Sequence, residues 1–158
     1  MKTLTHKVLA LVMAPVFFLT LAPPLQGQSN EVLDAILQEE PLTYGSAAYV
    51  LLLALGELEE GASLTNAVAA LDRLGHGLAD RPGHDPLTLG EFSHLAMGLF
   101  GISGGVWYRF LPGPRYATRE LVYRGALQGR AYPSMHLSGE RALRIIGRIL
   151  TLRERGLL

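Results

Sequence analysis

The chain has 158 residues, 14 basic and 14 acidic side chains, and no cysteine. Without cysteine, disulfides and attachment of a lipid through an N-terminal cysteine are excluded. The zero net charge argues against a nucleic-acid-binding protein.

The first 27 residues have the order of features of a secretory signal peptide. Lys2 and Lys7 flank the start of an apolar run over residues 8–21, and a small and polar stretch follows, with cleavage predicted near Gly27. The alternative is an uncleaved membrane anchor, but the run is shorter than the about 20 apolar residues that a spanning helix needs. We therefore expect an exported protein of the periplasm, envelope or cell surface, with no membrane span after cleavage.

Residues 28–158 suit a single all-α domain. Apolar side chains at helical spacing predict helices over residues 31–40, 43–55, 63–75, 88–100, 116–123 and 138–150, and no segment shows the alternation of a strand. The run 47–55 is apolar all round, which is typical of a helix buried on every side. The glycine-rich aromatic segment 101–114 is predicted to be a loop.

A short pattern repeats along the chain. Pro41-Leu-Thr-Tyr-Gly-Ser, Pro86-Leu-Thr-Leu-Gly-Glu and Met135-His-Leu-Ser-Gly-Glu each open an apolar helix, and their glycines lie 45 and then 49 residues apart. Such a period is typical of repeat units that bury their apolar faces against their copies. We predict helix-loop-helix units over residues 31–56, 63–101 and 114–150. The loops inside the last two units are predicted to differ in length by one residue.

Charge is distributed unevenly between these units. Residues 31–91 hold eleven acidic side chains and two arginines, whereas residues 109–155 hold ten arginines and three glutamates. This asymmetry indicates an anionic partner for the basic half, or pairing between the two halves.

The repeat resembles the S-layer homology (SLH) family. Tyr116-Ala117, Leu121 and Gly125 match the opening of the family's first helix, and Thr88-Leu-Gly-Glu91 matches the Thr-Arg-Ala-Glu stretch of its second helix. The resemblance covers most of residues 41–150 and implies a compact pseudo-threefold bundle, with the second helices of three repeats around an axis. It also implies non-covalent attachment to cell-wall polysaccharide or peptidoglycan-linked polymer.

The chain departs from the family at the motif arginine. Aligned on the glycines, the corresponding positions are Tyr44, Leu89 and Ser138, and none offers a cationic fork for an acidic sugar. The first unit also has Ser46 in place of the acid. The fold is therefore expected to persist while glycan recognition is lost or relocated.

Arginines of the third unit are the main candidates for ligand binding. Arg141, Arg144 and Arg148 share one helix face, because they are spaced by three and four residues. The alternative is a solvated face that pairs with the acidic half. The full candidate set adds two arginines, two glutamates at helix starts and two aromatic residues: Arg115, Arg119, Glu91, Glu140, Trp107 and Tyr116.

Each of the other candidates also has a structural interpretation. Thr88 and Glu91 fit a capping box. Glu140 would form the same box with Leu137, which is a poor cap, so Glu140 is freer to bind a ligand. The aromatic side chains offer faces for sugar stacking, or they attach the aromatic segment to the core: Trp107, Tyr108, Phe110 and Tyr116. The histidines lack the spacing of a metal site, and no nucleophile or carboxylate pair indicates catalysis. We therefore predict no cofactor and no metal.

The sequence thus favours a non-catalytic envelope module that binds peptidoglycan, an anionic glycan or an envelope protein. The alternative is a structural protein-interaction subunit of an envelope assembly.

Overall fold

The computed structural model describes residues 27–158, so the predicted signal peptide lies outside the described residues except for Gly27. The described chain is all-α and contains no strand. No helix within residues 27–158 has the length and apolar character needed to cross a membrane. Residues 27–158 contain seven helices in this order: α1 Gly27–Gln38, α2 Tyr44–Leu55, α3 Leu64–Arg73, α4 Leu89–Leu99, α5 Val106–Phe110, α6 Pro114–Tyr123 and α7 Gly139–Glu154.

The second helix of each unit (α2, α4 and α7) starts at a hydroxyl cap. The side chains of Thr43, Thr88 and Ser138 each accept a hydrogen bond from the backbone N–H three residues later. These caps are 45 and then 50 residues apart. The predicted alignment of the third unit is therefore wrong by one residue, since Ser138 and not Leu137 is the cap.

This correction changes which residues correspond between units. The second and third units align at a constant spacing of 50 residues through both helices, so their loops do not differ in length. Gly139 takes the position of Leu89, and Arg141, not Glu140, takes the position of Glu91. The prediction failed because both helices begin with a Gly-Glu pair at different positions. Gly90-Glu91 lies two and three residues after its cap, whereas Gly139-Glu140 lies one and two residues after its cap.

The helices pack in a closed cycle. Helix α2 packs against α3, α4 against α6, and α7 against α1, so each second helix packs on the first helix of the following unit. Helix α2 also contacts α4 and α7. It is the central helix, because every residue from Tyr44 to Leu52 is buried, as its apolar run predicts.

Backbone hydrogen bonds join the three segments that precede the second helices. Leu42, Leu87 and Leu137 have no exposed surface. The Leu42 N–H donates to the Leu137 carbonyl (2.6 Å), and the Leu87 N–H donates to the Leu42 carbonyl (2.8 Å). These buried segments therefore satisfy their polar backbone groups against one another, without a sheet.

The first turn of each second helix is tied to the next unit. The N–H groups of Tyr44, Leu89 and Gly139 donate to the carbonyls of Asp85, Met135 and Glu39, over 2.8, 2.8 and 2.9 Å. A helix leaves its first N–H groups without partners of its own. Here they bind the neighbouring unit instead, and the third of these bonds closes the cycle onto α1.

Three boundaries differ from the prediction. Helix α1 begins at Gly27, four residues before its predicted start at residue 31. Helix α7 continues to Glu154, past its predicted end at residue 150. The segment 101–114 contains α5, whose five residues are too few to give a helical apolar pattern.

The approach between units is close at Gly90, where a side chain would not fit. A Cβ atom there would lie 2.9 Å from both the Pro133 carbonyl oxygen and Pro114 Cβ. We expect Gly90→Ala to lower the free energy of unfolding by about 1–3 kcal/mol through overpacking. Gly147→Ala on α7 is the matched control, because nothing lies within 4 Å of its Cβ position.

The control should raise stability by about 0.5–1 kcal/mol, because alanine favours a helix interior over glycine. Urea unfolding of both variants provides the measurement. Equal effects of the two substitutions would contradict the close packing at the α4 N-terminus.

Candidate functional site

The connection between α4 and α6 carries an insertion. Its counterpart one unit earlier, between α2 and α3, is the segment 56–63, which has no helix and contains Glu57, Glu59 and Glu60. The segment 100–113 is longer and forms α5, with a tryptophan and a phenylalanine on it. The insertion therefore adds to the repeat a short aromatic helix that the closed cycle of helices does not require.

Two charged residues of α6 hold the start of this insertion. Glu120 accepts a hydrogen bond from the Gly105 N–H (3.1 Å) and pairs with Arg124 Nε (2.9 Å). Arg124 in turn donates to the Ser103 carbonyl (2.5 Å). The two side chains are only 14% and 21% exposed. They therefore position the backbone just before α5 by a partly buried, charge-assisted network.

A second contact attaches α5 to α4. The Tyr108 hydroxyl lies 3.2 Å from His94 Nδ1, and the two rings meet edge-on with centroids 6.1 Å apart. Burial lowers the pKa of His94, and nearby His76 lowers it further. Burial also raises the pKa of Tyr108. Both groups are therefore neutral near pH 7, which suits a hydrogen bond between uncharged partners.

An open groove lies between α5 and α6. Its volume is about 190 Å³, and it is lined by Gly105, Val106, Trp107, Tyr108, Tyr116, Arg119, Glu120 and Tyr123. Trp107 and Tyr123 are 67% and 87% exposed, and Arg119 is also exposed. We call this the aromatic groove. It presents flat apolar rings beside a guanidinium that no described hydrogen bond or ion pair occupies.

Three of the nine predicted site residues line the aromatic groove: Trp107, Tyr116 and Arg119. Arg115 is exposed on the same helix but does not line the groove. Of the three aromatic residues on α5, only Tyr108 packs against the core, since Trp107 and Phe110 are exposed. The groove therefore brings together the aromatic and cationic parts of the prediction.

Glu91 is held by structural contacts. It forms the predicted capping box with Thr88, and its other oxygen pairs with Arg81 at 2.5 Å. Burial by itself raises the pKa of Glu91, but hydrogen bonds from the Thr88 N–H and hydroxyl and from Arg81 outweigh it, and the pKa is lowered. Arg81 also donates to the Pro86 carbonyl, so the pair fixes the loop before α4.

The α7 arginines lie outside the aromatic groove. Arg141 donates to the carbonyls of Gln128 (3.3 Å) and Arg130, so it fixes the loop before α7 from the helix side. Burial lowers the pKa of Arg141, and Arg144 lowers it further. Arg144 pairs with Glu140 one turn earlier. Arg148 is partly buried farther along α7.

Pairing within one chain between the acidic and basic halves, one of the two interpretations of the charge asymmetry, is not found in the part of the chain that the structure describes. Every ion pair there joins residues of the same half. The other interpretation, an anionic partner for the basic half, stays a prediction.

A larger cavity lies on the acidic side of the domain. It has a volume of about 620 Å³ and is bounded by α3, the end of α1 and the loop before α4, with Glu39, Asp72 and His84 among its lining residues. One Glu39 oxygen is buried without a hydrogen-bond partner. Within residues 27–158 no three metal-ligating side chains are grouped to hold a metal ion. None of the predicted site residues lines this cavity.

Some residues that build or position the groove were not predicted from the sequence. Glu120 is not among the predicted site residues, although its spacing of four residues from Arg124 on a helix is a signal of an ion pair. Tyr123 was read only as the end of a helix. Comparison of the chain with protein-family models, characterised proteins and solved structures gives no match.

Glu120 provides a test of how the insertion is held. We expect Glu120→Ala to lower the free energy of unfolding by about 1–3 kcal/mol, since it leaves the Gly105 N–H and the Nε of partly buried Arg124 without their hydrogen-bond partner. Glu140→Ala is the matched control, because Glu140 also pairs with an arginine four residues later, but the two side chains are 63% and 53% exposed.

The control should cost at most about 0.5 kcal/mol, as exposed helical pairs do. Trp107 emission should also change in Glu120→Ala and not in Glu140→Ala, since Trp107 follows the anchored backbone. Similar losses of stability and unchanged emission in both variants would contradict the positioning role of Glu120.

Proposed function

We propose that this chain is an exported, non-catalytic module of the cell envelope that binds peptidoglycan or an anionic envelope glycan through the aromatic groove. We further propose that its three units form an SLH-like pseudo-threefold bundle. The closed cycle of contacts α2–α3, α4–α6 and α7–α1 supports this arrangement. So does the equivalent capping of α2, α4 and α7 by a hydroxyl.

The aromatic groove is the observation that carries the proposed binding. Aromatic faces stack on the apolar face of a sugar ring, and an arginine fork binds the carboxylate of an acidic sugar through two parallel hydrogen bonds. Trp107, Tyr116 and Arg119 supply both kinds of contact around one space. A volume of about 190 Å³ is small for a ligand pocket, and it suits one ring of a longer chain that continues into solvent.

The groove also accounts for the missing motif arginine. The positions that would carry that arginine are Tyr44, Leu89 and Gly139 in the register of the helix caps. Tyr44 and Leu89 are fully buried, so these positions are used for packing. Glycan recognition would then have moved from the helix starts to the insertion, where Arg119 is exposed.

The lining residues favour binding over catalysis. Glu120 is the sole carboxylate among the groove-lining residues, and its two oxygens accept from Gly105 and Arg124. Glycoside hydrolysis commonly requires a pair of carboxylates across the bond.

One observation favours the alternative of a protein-interaction subunit. Phe110 and Leu111 are 79% and 56% exposed beside the groove without lining it. An envelope protein that covers both would bury an aromatic anchor of the kind that dominates protein interfaces.

Binding to purified peptidoglycan sacculi, with and without attached wall polymer, tests the proposed function. We expect salt-sensitive retention of the wild-type protein, because an arginine contact is screened by ions. Arg119→Gln should weaken binding about tenfold, since a hydrogen bond to a charged group contributes about 1.5–3 kcal/mol. Arg153→Gln is the matched control, with another exposed arginine on α7.

A second pair of variants separates stacking from charge. Trp107→Ala should weaken retention, whereas Tyr132→Ala, at a 68% exposed ring outside the groove, should not. Retention unchanged by Arg119→Gln and Trp107→Ala, or no retention at any salt concentration, would reject the glycan proposal.

A further inference from the structure

The insertion exposes more apolar surface than the aromatic groove uses. Val106, Trp107, Phe110 and Leu111 are 66%, 67%, 79% and 56% exposed. No residue of α5 is fully buried, and only Tyr108 is partly buried. We call these four residues the wedge. Soluble proteins rarely gather large apolar side chains at one exposed site unless that site contacts another surface.

The composition of the wedge indicates what covers it. Val106 and Leu111 are aliphatic and offer no flat face to a sugar ring. A mixture of aliphatic side chains with tryptophan and phenylalanine is typical of segments that lie in the interfacial region of a bilayer. Phe110 and Leu111, which do not line the aromatic groove, therefore suit lipid better than glycan, whereas Trp107 suits either.

The charge around the wedge has one sign. Arg109, Arg115 and Arg119 are all exposed, and no acidic residue occurs from residue 106 until Glu120. The corresponding connection between α2 and α3 has the opposite character, with Glu57, Glu59 and Glu60. An anionic surface would therefore attract the insertion and repel its counterpart, which fixes the orientation of the domain.

The size of the wedge argues against a standard protein interface. Its four side chains expose on the order of 500 Å², whereas a stable interface buries about 800 Å² on each partner. Reversible attachment to a bilayer needs less apolar area, because each arginine near an anionic leaflet adds to the attraction.

We propose that the wedge attaches this domain peripherally to the surface of an anionic lipid bilayer. Phe110, Leu111 and Trp107 would enter the interfacial region, and Arg109 and Arg115 would contact the lipid headgroups. This inference goes beyond the proposed function and does not depend on it, because Phe110 and Leu111 do not line the aromatic groove.

Trp107 gives a direct readout, since it is the sole tryptophan of the chain. The full protein is used, with the same N-terminus in every variant. It is mixed with vesicles of phosphatidylcholine alone, and with anionic vesicles in which roughly a third of the lipid is phosphatidylglycerol. We expect a blue shift of Trp107 emission and quenching by brominated acyl chains with the anionic vesicles, both reduced by salt.

Paired variants assign the effect to the wedge. Phe110→Ser with Leu111→Ser should weaken vesicle binding at least tenfold, and Arg109→Gln should weaken it about fivefold. Tyr132→Ser with Leu157→Ser removes two other exposed apolar side chains, 68% and 60% exposed, and should leave binding unchanged. Arg153→Gln is the control for Arg109→Gln. Circular dichroism establishes that each variant is folded.

Three results would overturn the proposal. One is no shift of Trp107 emission with any vesicle. Another is vesicle binding that the wedge variants do not reduce, which would place the contact elsewhere on the chain. The third is a blue shift that grows with protein concentration in the absence of vesicles, which would indicate a second copy as the occupant. Retention on sacculi by Phe110→Ser with Leu111→Ser shows separately whether the glycan proposal holds.

Discussion

The fold depends on hydrogen bonds between the backbone segments that precede α2, α4 and α7. Leu42, Leu87 and Leu137 are fully buried there, and their segments exchange backbone hydrogen bonds instead of bonding to water. The first N–H groups of each following helix, which a helix cannot satisfy internally, donate to the neighbouring unit. Each unit thereby completes its neighbour. A glycine such as Gly90 at the contact follows from the short distance between the two backbones.

A closed cycle leaves few places where the chain can change without disturbing the core. The connections between units lie outside it, and the one between α4 and α6 is enlarged. Glu120 and Arg124 hold the start of this insertion, and Tyr108 attaches it to His94. Because this anchoring uses only one aromatic residue, the others are free to face solvent. A rigid scaffold with an anchored, exposed insertion is a common way to place a binding surface.

Much of the fold follows from local sequence signals. The caps Thr43 and Thr88 and the all-round apolar run of α2 identify helix starts and the central helix without any knowledge of packing. The register of the third unit does not follow, because Gly139-Glu140 imitates Gly90-Glu91 while Ser138 alone fixes the cap. Of the site, the aromatic and cationic residue types were predictable. The role of Arg141 was not predictable, because it donates to the backbone carbonyls of Gln128 and Arg130. Every residue has a backbone carbonyl, so no residue type in the sequence indicates such a partner.

Native-state amide hydrogen exchange tests most directly whether the backbone hydrogen bonds between the three segments that precede α2, α4 and α7 support the fold. We expect the N–H groups of Leu42, Leu87 and Leu89 to exchange only through global unfolding, with protection equal to the full free energy of unfolding. The N–H of Gly105, bound by the Glu120 side chain, should exchange by local opening of the insertion. If the N–H groups of Leu42, Leu87 and Leu89 exchanged as fast as that of Gly105, the fold would not depend on these hydrogen bonds.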